Sequence, residues 1–136
     1  MERNFFKAES EKSIREFIES LRENAPKFNF IVRHVLNMNE EYKKNGVDVD
    51  EGFKLFQIIL CNPEKSYKTV KRNFETAAVL LPPKQFVVYD NKGVTVVNYL
   101  YFTKEFIAQA LPNDEKLQNN LPNSCQRIIR LIEASI

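Results

Sequence analysis

Leu55-Phe56-Gln57-Ile58-Ile59-Leu60-Cys61-Asn62-Pro63 is the stretch that decides the fold. Side chains alternate across a strand, and here both alternating sets are apolar: Leu55 and Ile59 on one side, Phe56, Ile58 and Leu60 on the other. That pattern predicts a central strand covered on both faces. Asn62 can accept a hydrogen bond as an N-cap, Pro63 suits the first helical position, and Glu64 complements the helix dipole. The chain is therefore expected to turn at Asn62 into a helix of about 63–73, with Tyr67, Val70 and Phe74 as its buried stripe.

Downstream, Ala77 to Leu81 is apolar and stops at Pro82-Pro83. Gln85 to Tyr89 and Val94 to Phe102 are β-branched and aromatic, and Asp90-Asn91-Lys92-Gly93 between them predicts a hairpin. Thr103 can cap a helix carrying Phe106, Ile107 and Ala110, closed by Pro112. Residues 113–120 read as irregular. Pro122 then opens a last helix with Cys125, Ile128, Ile129 and Ile132 on one side.

Upstream, residues 3–8 form a first strand. Ser13-Ile14-Arg15-Glu16 is a capping box opening a helix of about 14–24, whose Ile14, Phe17, Ile18 and Leu21 recur at helical spacing. Phe28 to Leu36 reads as a strand with Phe28, Phe30, Val32, His34 and Leu36 on one face. A short polar helical turn over 39–44 ends at Asn45-Gly46. The order β-α-β-β-α-β-β-α-α predicts an α+β fold: an antiparallel or mixed sheet of about five strands with helices packed on one face.

At 136 residues the chain is expected to be one domain, large enough for a core without staples. Apolar residues make up 43% and charged residues 28%, a soluble globular balance, and the net charge of +2 gives no reason to expect nucleic acid or an anionic membrane. Cys61 and Cys125 form no CxxC and read as reduced thiols of a cytoplasmic protein. Met1 to Lys7 is charged and predicts no signal peptide, and no apolar run is long enough for a membrane span. The abundance of Lys and Asn reads as codon bias of an AT-rich bacterial genome.

The Leu55–Pro63 stretch closely resembles the strand-to-helix signature of the domain of unknown function 302 family. Leu80-Leu81-Pro82 followed by the hairpin Phe86-Val87-Val88-Tyr89-Asp90-Asn91-Lys92-Gly93 is a second match, and Lys44-Asn45-Gly46 a third. The resemblance spans about Phe5 to Tyr101. It makes residues 3–102 a family-like core and residues 103–136 a helical extension packing on it. It implies a small α+β domain of bacteria and archaea, often dimeric, with no assigned activity. The structural motif it carries over is Asn62, Pro63 and Pro82. Many members have a cysteine after Leu-Leu-Pro; here Pro83 stands there, so any family pairing of Cys61 with that second thiol for metal or redox work does not carry over.

The chemistry-bearing residues are few. Cys61 lies near a helix N-terminus, which favours a thiolate, and His34, the only histidine, is a candidate base; the plainer readings are a small buried hydrophobe and a structural histidine. Asp48, Asp50 and Glu51 before Gly52 lack the spacing of a calcium loop. Lys65, Lys68, Lys71 and Arg72 make one helix face basic, a pattern that also suits a solvated surface. Three glycines are too few for a phosphate-cradling loop, and no GxSxG elbow is present. No cofactor or metal is expected.

Tyr89, Tyr99 and Tyr101 mark a candidate ligand or interface surface on the hairpin. The reading is a non-enzymatic module that binds a small apolar ligand or another protein, homodimeric through its sheet or terminal helix. The alternative is a cysteine-centred enzyme or redox module using Cys61, with His34.

Overall fold

The structure, a computed structural model, describes residues 5–79 and 82–136. Five strands form one sheet: β1 Phe6–Ser10, β2 Ile31–Asn37, β3 Leu55–Cys61, β4 Gln85–Asn91 and β5 Val94–Tyr99. Their spatial order is β1-β5-β4-β3-β2, and every neighbouring pair is antiparallel. The fold is α+β. The Leu55–Cys61 stretch is an interior strand, flanked by β2 and β4, and β4 holds the centre.

The helices are α1 Ile14–Asn24, α2 Met38–Lys44, α3 Pro63–Arg72, α4 Lys104–Ala110 and α5 Glu115–Ser135. Short-range chemistry starts them as the sequence indicates. At α1 the Glu16 amide donates to Ser13 Oγ and the Ser13 amide to Glu16 Oε1, each at 3.1 Å. At α3 the Lys65 amide donates to Asn62 Oδ1 at 3.1 Å, with Pro63 in the first turn. The β4–β5 turn is tight because Lys92 and Gly93 both take positive φ, 52° and 89°, the geometry that matches the twist of two paired strands.

The covered face of the sheet carries Ile58, Leu60, Phe86, Val88, Val97 and Tyr99, all buried. Phe17 and Leu21 of α1 and Cys125, Ile128, Leu131 and Ile132 of α5 close over them, each without exposed surface. A smaller cluster joins Val79, Ile107, Leu111, Leu117 and Leu121 beside this core.

Five expectations are corrected. The stripe of Tyr67, Val70 and Phe74 is not buried: no residue of α3 is, and Tyr67 and Phe74 are 66% and 79% exposed, because α1 and α5 are the helices that close over the sheet. Only one face of β3 is covered: Leu55, Gln57, Ile59 and Cys61 remain half-exposed, because both α1 and α5 pack on the opposite side. The strand expected from Phe28 begins at Ile31, since Ala25–Phe28 forms a 3-10 turn ending at Asn29, whose φ is 65°. Within β2 the register slips between Val32 and His34, so Val32 and Val35 oppose Leu60 and Ile58 while His34 opposes Ile59. The extra residue moves His34 off the face it was expected to share with Val32. Finally, residues 115–121 are helical, and Pro122 lies inside α5. An internal proline costs about 3 kcal/mol. The continuous buried stripe of Leu117, Leu121, Cys125, Ile128 and Ile132 outweighs it, at roughly 1.5–3 kcal/mol per buried aliphatic side chain. The expected Leu80 and Leu81 match lies outside the described residues.

Candidate functional site

Strand parity decides which candidates meet. Cys61 ends β3, opposite Ile31, with its thiol half-exposed and free of any disulfide. His34 is exposed on β2, opposite Ile59. Among the described residues no hydrogen bond joins the two, and none gives Cys61 an orienting partner.

The three tyrosines are divided between the faces of the sheet. Tyr89 lies on the open face, where its hydroxyl accepts from Asn98 Nδ2 at 3.0 Å. Tyr99 points into the core, edge-on to Phe86, and its hydroxyl donates to the Pro83 carbonyl. Burial pushes the Tyr99 hydroxyl far above the ordinary tyrosine range, with Cys125 acting in the same direction. Tyr101 packs against Tyr99 at the edge of the core. Asn62 and Pro63 have the capping role already described, and Pro82 opens the 3-10 turn Pro82–Lys84 that leads into β4.

The open face runs through Lys7 and Glu9 of β1, Val96 and Asn98 of β5, Gln85, Val87 and Tyr89 of β4, and Leu55 to Cys61 at alternate positions of β3. Val96, flanked by Glu9 and Tyr89, is the one side chain there that is buried. Phe5, Gln57, Gln85, Val87, Asn98 and Leu100 rim a depression of about 300 Å³ on this face. Leu100 is 64% exposed. Asn98 Oδ1 is buried and has no hydrogen-bond partner, an arrangement that costs about 1–3 kcal/mol unless something donates to it.

A second concavity, of about 180 Å³, lies between α3 and α5. Lys65, Lys68 and Arg72 line it from α3, Lys116 and Ser124 from α5, and Lys84 from the turn before β4. Lys84 is only 7% exposed. Burial lowers its pKa; the Cys61 and Cys125 thiols act to raise it, while Lys65 and Arg127 lower it further. Partial burial and Arg127 also hold Lys65 below the ordinary lysine range. Sequence reasoning passed over Lys84, although a signal existed. Lys84, Phe86 and Val88 recur at period two, so a lysine stands in the register of two core-facing residues.

Beside this concavity Asp114 forms a buried clamp. Arg72 Nη2 donates to both its carboxylate oxygens at 2.9 Å, Asn73 Nδ2 to one at 3.2 Å, and the Leu117 amide at 3.1 Å. Burial alone raises the Asp114 pKa, but these hydrogen bonds more than offset it and hold the carboxyl below its usual range. Among the described residues no group of three or more His, Cys, Asp or Glu is placed to hold a metal ion. None of their helices is long and apolar enough to cross a membrane.

No curated protein matches the chain. Among solved structures it is similar to an uncharacterized conserved DUF302 protein from Bacillus stearothermophilus, at 19% identity over 98% of both chains and a TM-score of 0.77. That likeness is one of fold. The model of the family described as domain of unknown function DUF302 matches residues 6–135, through both C-terminal helices. This chain therefore belongs to the DUF302 family.

Proposed function

We propose that this domain is a non-enzymatic interaction module that self-associates through the open face of its sheet. The observation carrying this reading is the unpartnered, buried Asn98 Oδ1 within an apolar depression. A second copy has the right chemistry to cover it. A two-fold contact needs a self-complementary surface, and the face carries Gln57 and Gln85, whose amide groups can donate across an axis to Asn98. Lys7 and Glu9 alternate in charge at its β1 margin, 4.0 Å apart within one copy. Leu100 and Ile31, 64% and 46% exposed, supply apolar area that a free monomer leaves wet.

Light scattering tests this. The wild type is expected at twice the chain mass at micromolar concentration, and Val87→Lys at the chain mass with unchanged circular dichroism. A wild-type monomer overturns the reading. A monomer that retains a small apolar molecule in native mass spectrometry redirects it to ligand binding. The cysteine-centred alternative draws less support: the β2 bulge sets His34 opposite Ile59, on the face that Cys61 shares, yet among the described residues no hydrogen bond gives Cys61 a partner.

A further inference from the structure

The geometry points to an anion site between α3 and α5, with Lys84 as its floor, that takes a small phosphoryl group. This site lies away from the open face and is independent of self-association. It is built from three segments distant in sequence. Residues 65, 68 and 72 share one side of α3 by helical spacing, and residues 116, 120 and 124 share one side of α5.

The charges there are unequally spent. Arg72 is neutralised by Asp114 at 2.9 Å and Lys68 by Glu64 at 2.9 Å. Among the described residues Lys65, Lys84 and Lys116 have no hydrogen-bond or ion-pair partner. Lys84 is the telling member, since lysine is almost never this buried unless paired. The Lys84 residue lines the cavity at 7% exposure, and among the described residues no carboxylate pairs with it. A bound anion supplies what the protein omits. Three uncommitted lysines converge on a space of about 180 Å³, below the roughly 300–1,000 Å³ typical of sites for drug-sized ligands. The cavity therefore fits an ion or the phosphate end of a larger molecule. Lysine ammonium groups act as point charges and suit the tetrahedral oxygens of phosphate, whereas a planar carboxylate is better met by the arginine fork. Ser124, Asn120 and Thr69 on the walls offer hydroxyl and amide donors.

Titration calorimetry of the intact chain with inorganic phosphate and with methyl phosphate, at ionic strength held constant with sodium chloride, is the test. Saturable 1:1 binding is expected for at least one of them. Lys84→Met is expected to weaken it by about tenfold or more. Lys71→Met is the control; that lysine lies 5.7 Å over the Tyr67 ring and lines no part of the cavity, so binding should not change. Tighter methyl phosphate identifies a phosphate ester as the class, and tighter inorganic phosphate the free ion; both support the site. Should Lys84→Met not fold, the exposed pair Lys65→Met and Lys116→Met must produce the same loss. Absence of heat beyond that of chloride, binding indifferent to these variants, or acetate binding as tightly as phosphate overturns the proposal, the last in favour of a carboxylate partner.

Discussion

The two faces of the sheet come from the same strands, often from adjacent residues, yet they have opposite fates. On β3 Ile58 and Leu60 are sealed under α1 and α5, while Ile59 between them stays half-exposed. Tyr99, the last residue of β5, is buried, and Leu100 directly after it stands 64% open. Hydrophobicity along these strands barely distinguishes the faces. The difference is made by where the helices fall, so the covered face defines the fold and the open face stays partly exposed. The largest test of this contrast removes the cover. Truncation after Phe102 deletes Cys125, Ile128, Leu131 and Ile132, all fully buried. At about 1.5–3 kcal/mol per buried aliphatic side chain, the loss rivals the roughly 5–15 kcal/mol stability of a whole domain. The truncated chain is expected to show no cooperative melting transition; a melt like that of the full chain would show that α5 is dispensable.

A pair of neighbouring substitutions reads the contrast directly. Leu60→Ala is expected to cost about 3 kcal/mol and Ile59→Ala about 1 kcal/mol in urea denaturation of dilute protein. Raising the protein concentration should enlarge the Ile59→Ala effect if that face is covered in a dimer, because association stabilises only the folded form. Equal costs at high dilution would mean the two faces are equally covered within one chain.

Much of this was readable from residues alone, and the exceptions have physical causes. The caps at Ser13 and Asn62, the hairpin turn and the α+β class depend on local chemistry, which one segment specifies. Exposure of Ile59 did not, because two apolar faces look the same whether the second is covered by a helix, a partner or nothing. The β2 bulge depends on pairing with β3, and parity on both sides of it is invisible until the partner strand is known. Pro122 inside α5 is a tertiary override: local rules stop the helix there, and burial on both sides of the proline continues it. The cavity required α3, α5 and the turn at Lys84 to be assembled, although Lys84 itself stood out in the strand period.

The last expected effect concerns how the cover is fastened. Asp114 caps α5 and ties it to Arg72 at the end of α3, at 3% exposure. Asp114→Ala removes the cap and the ion pair together and should cost about 2 kcal/mol at neutral pH. The pH dependence follows from the depressed pKa. A carboxyl held lower in the folded chain than in the unfolded one contributes stability above its unfolded value of about 3.9 and loses it as pH falls through the folded value. Between those two values the unfolded chain binds more protons, so stability must decline with acidification. Glu16, held down by Ser13, and Glu64, held down by Lys68, titrate in the same region in wild type and variant alike. The difference between the two stability curves below about pH 4 therefore isolates Asp114. Asp114→Asn should flatten that part of the curve, measured by urea denaturation across a pH series. An unchanged acid slope would place the fastening of α5 in its apolar stripe alone, and the contrast between the faces would then rest on packing without any charge.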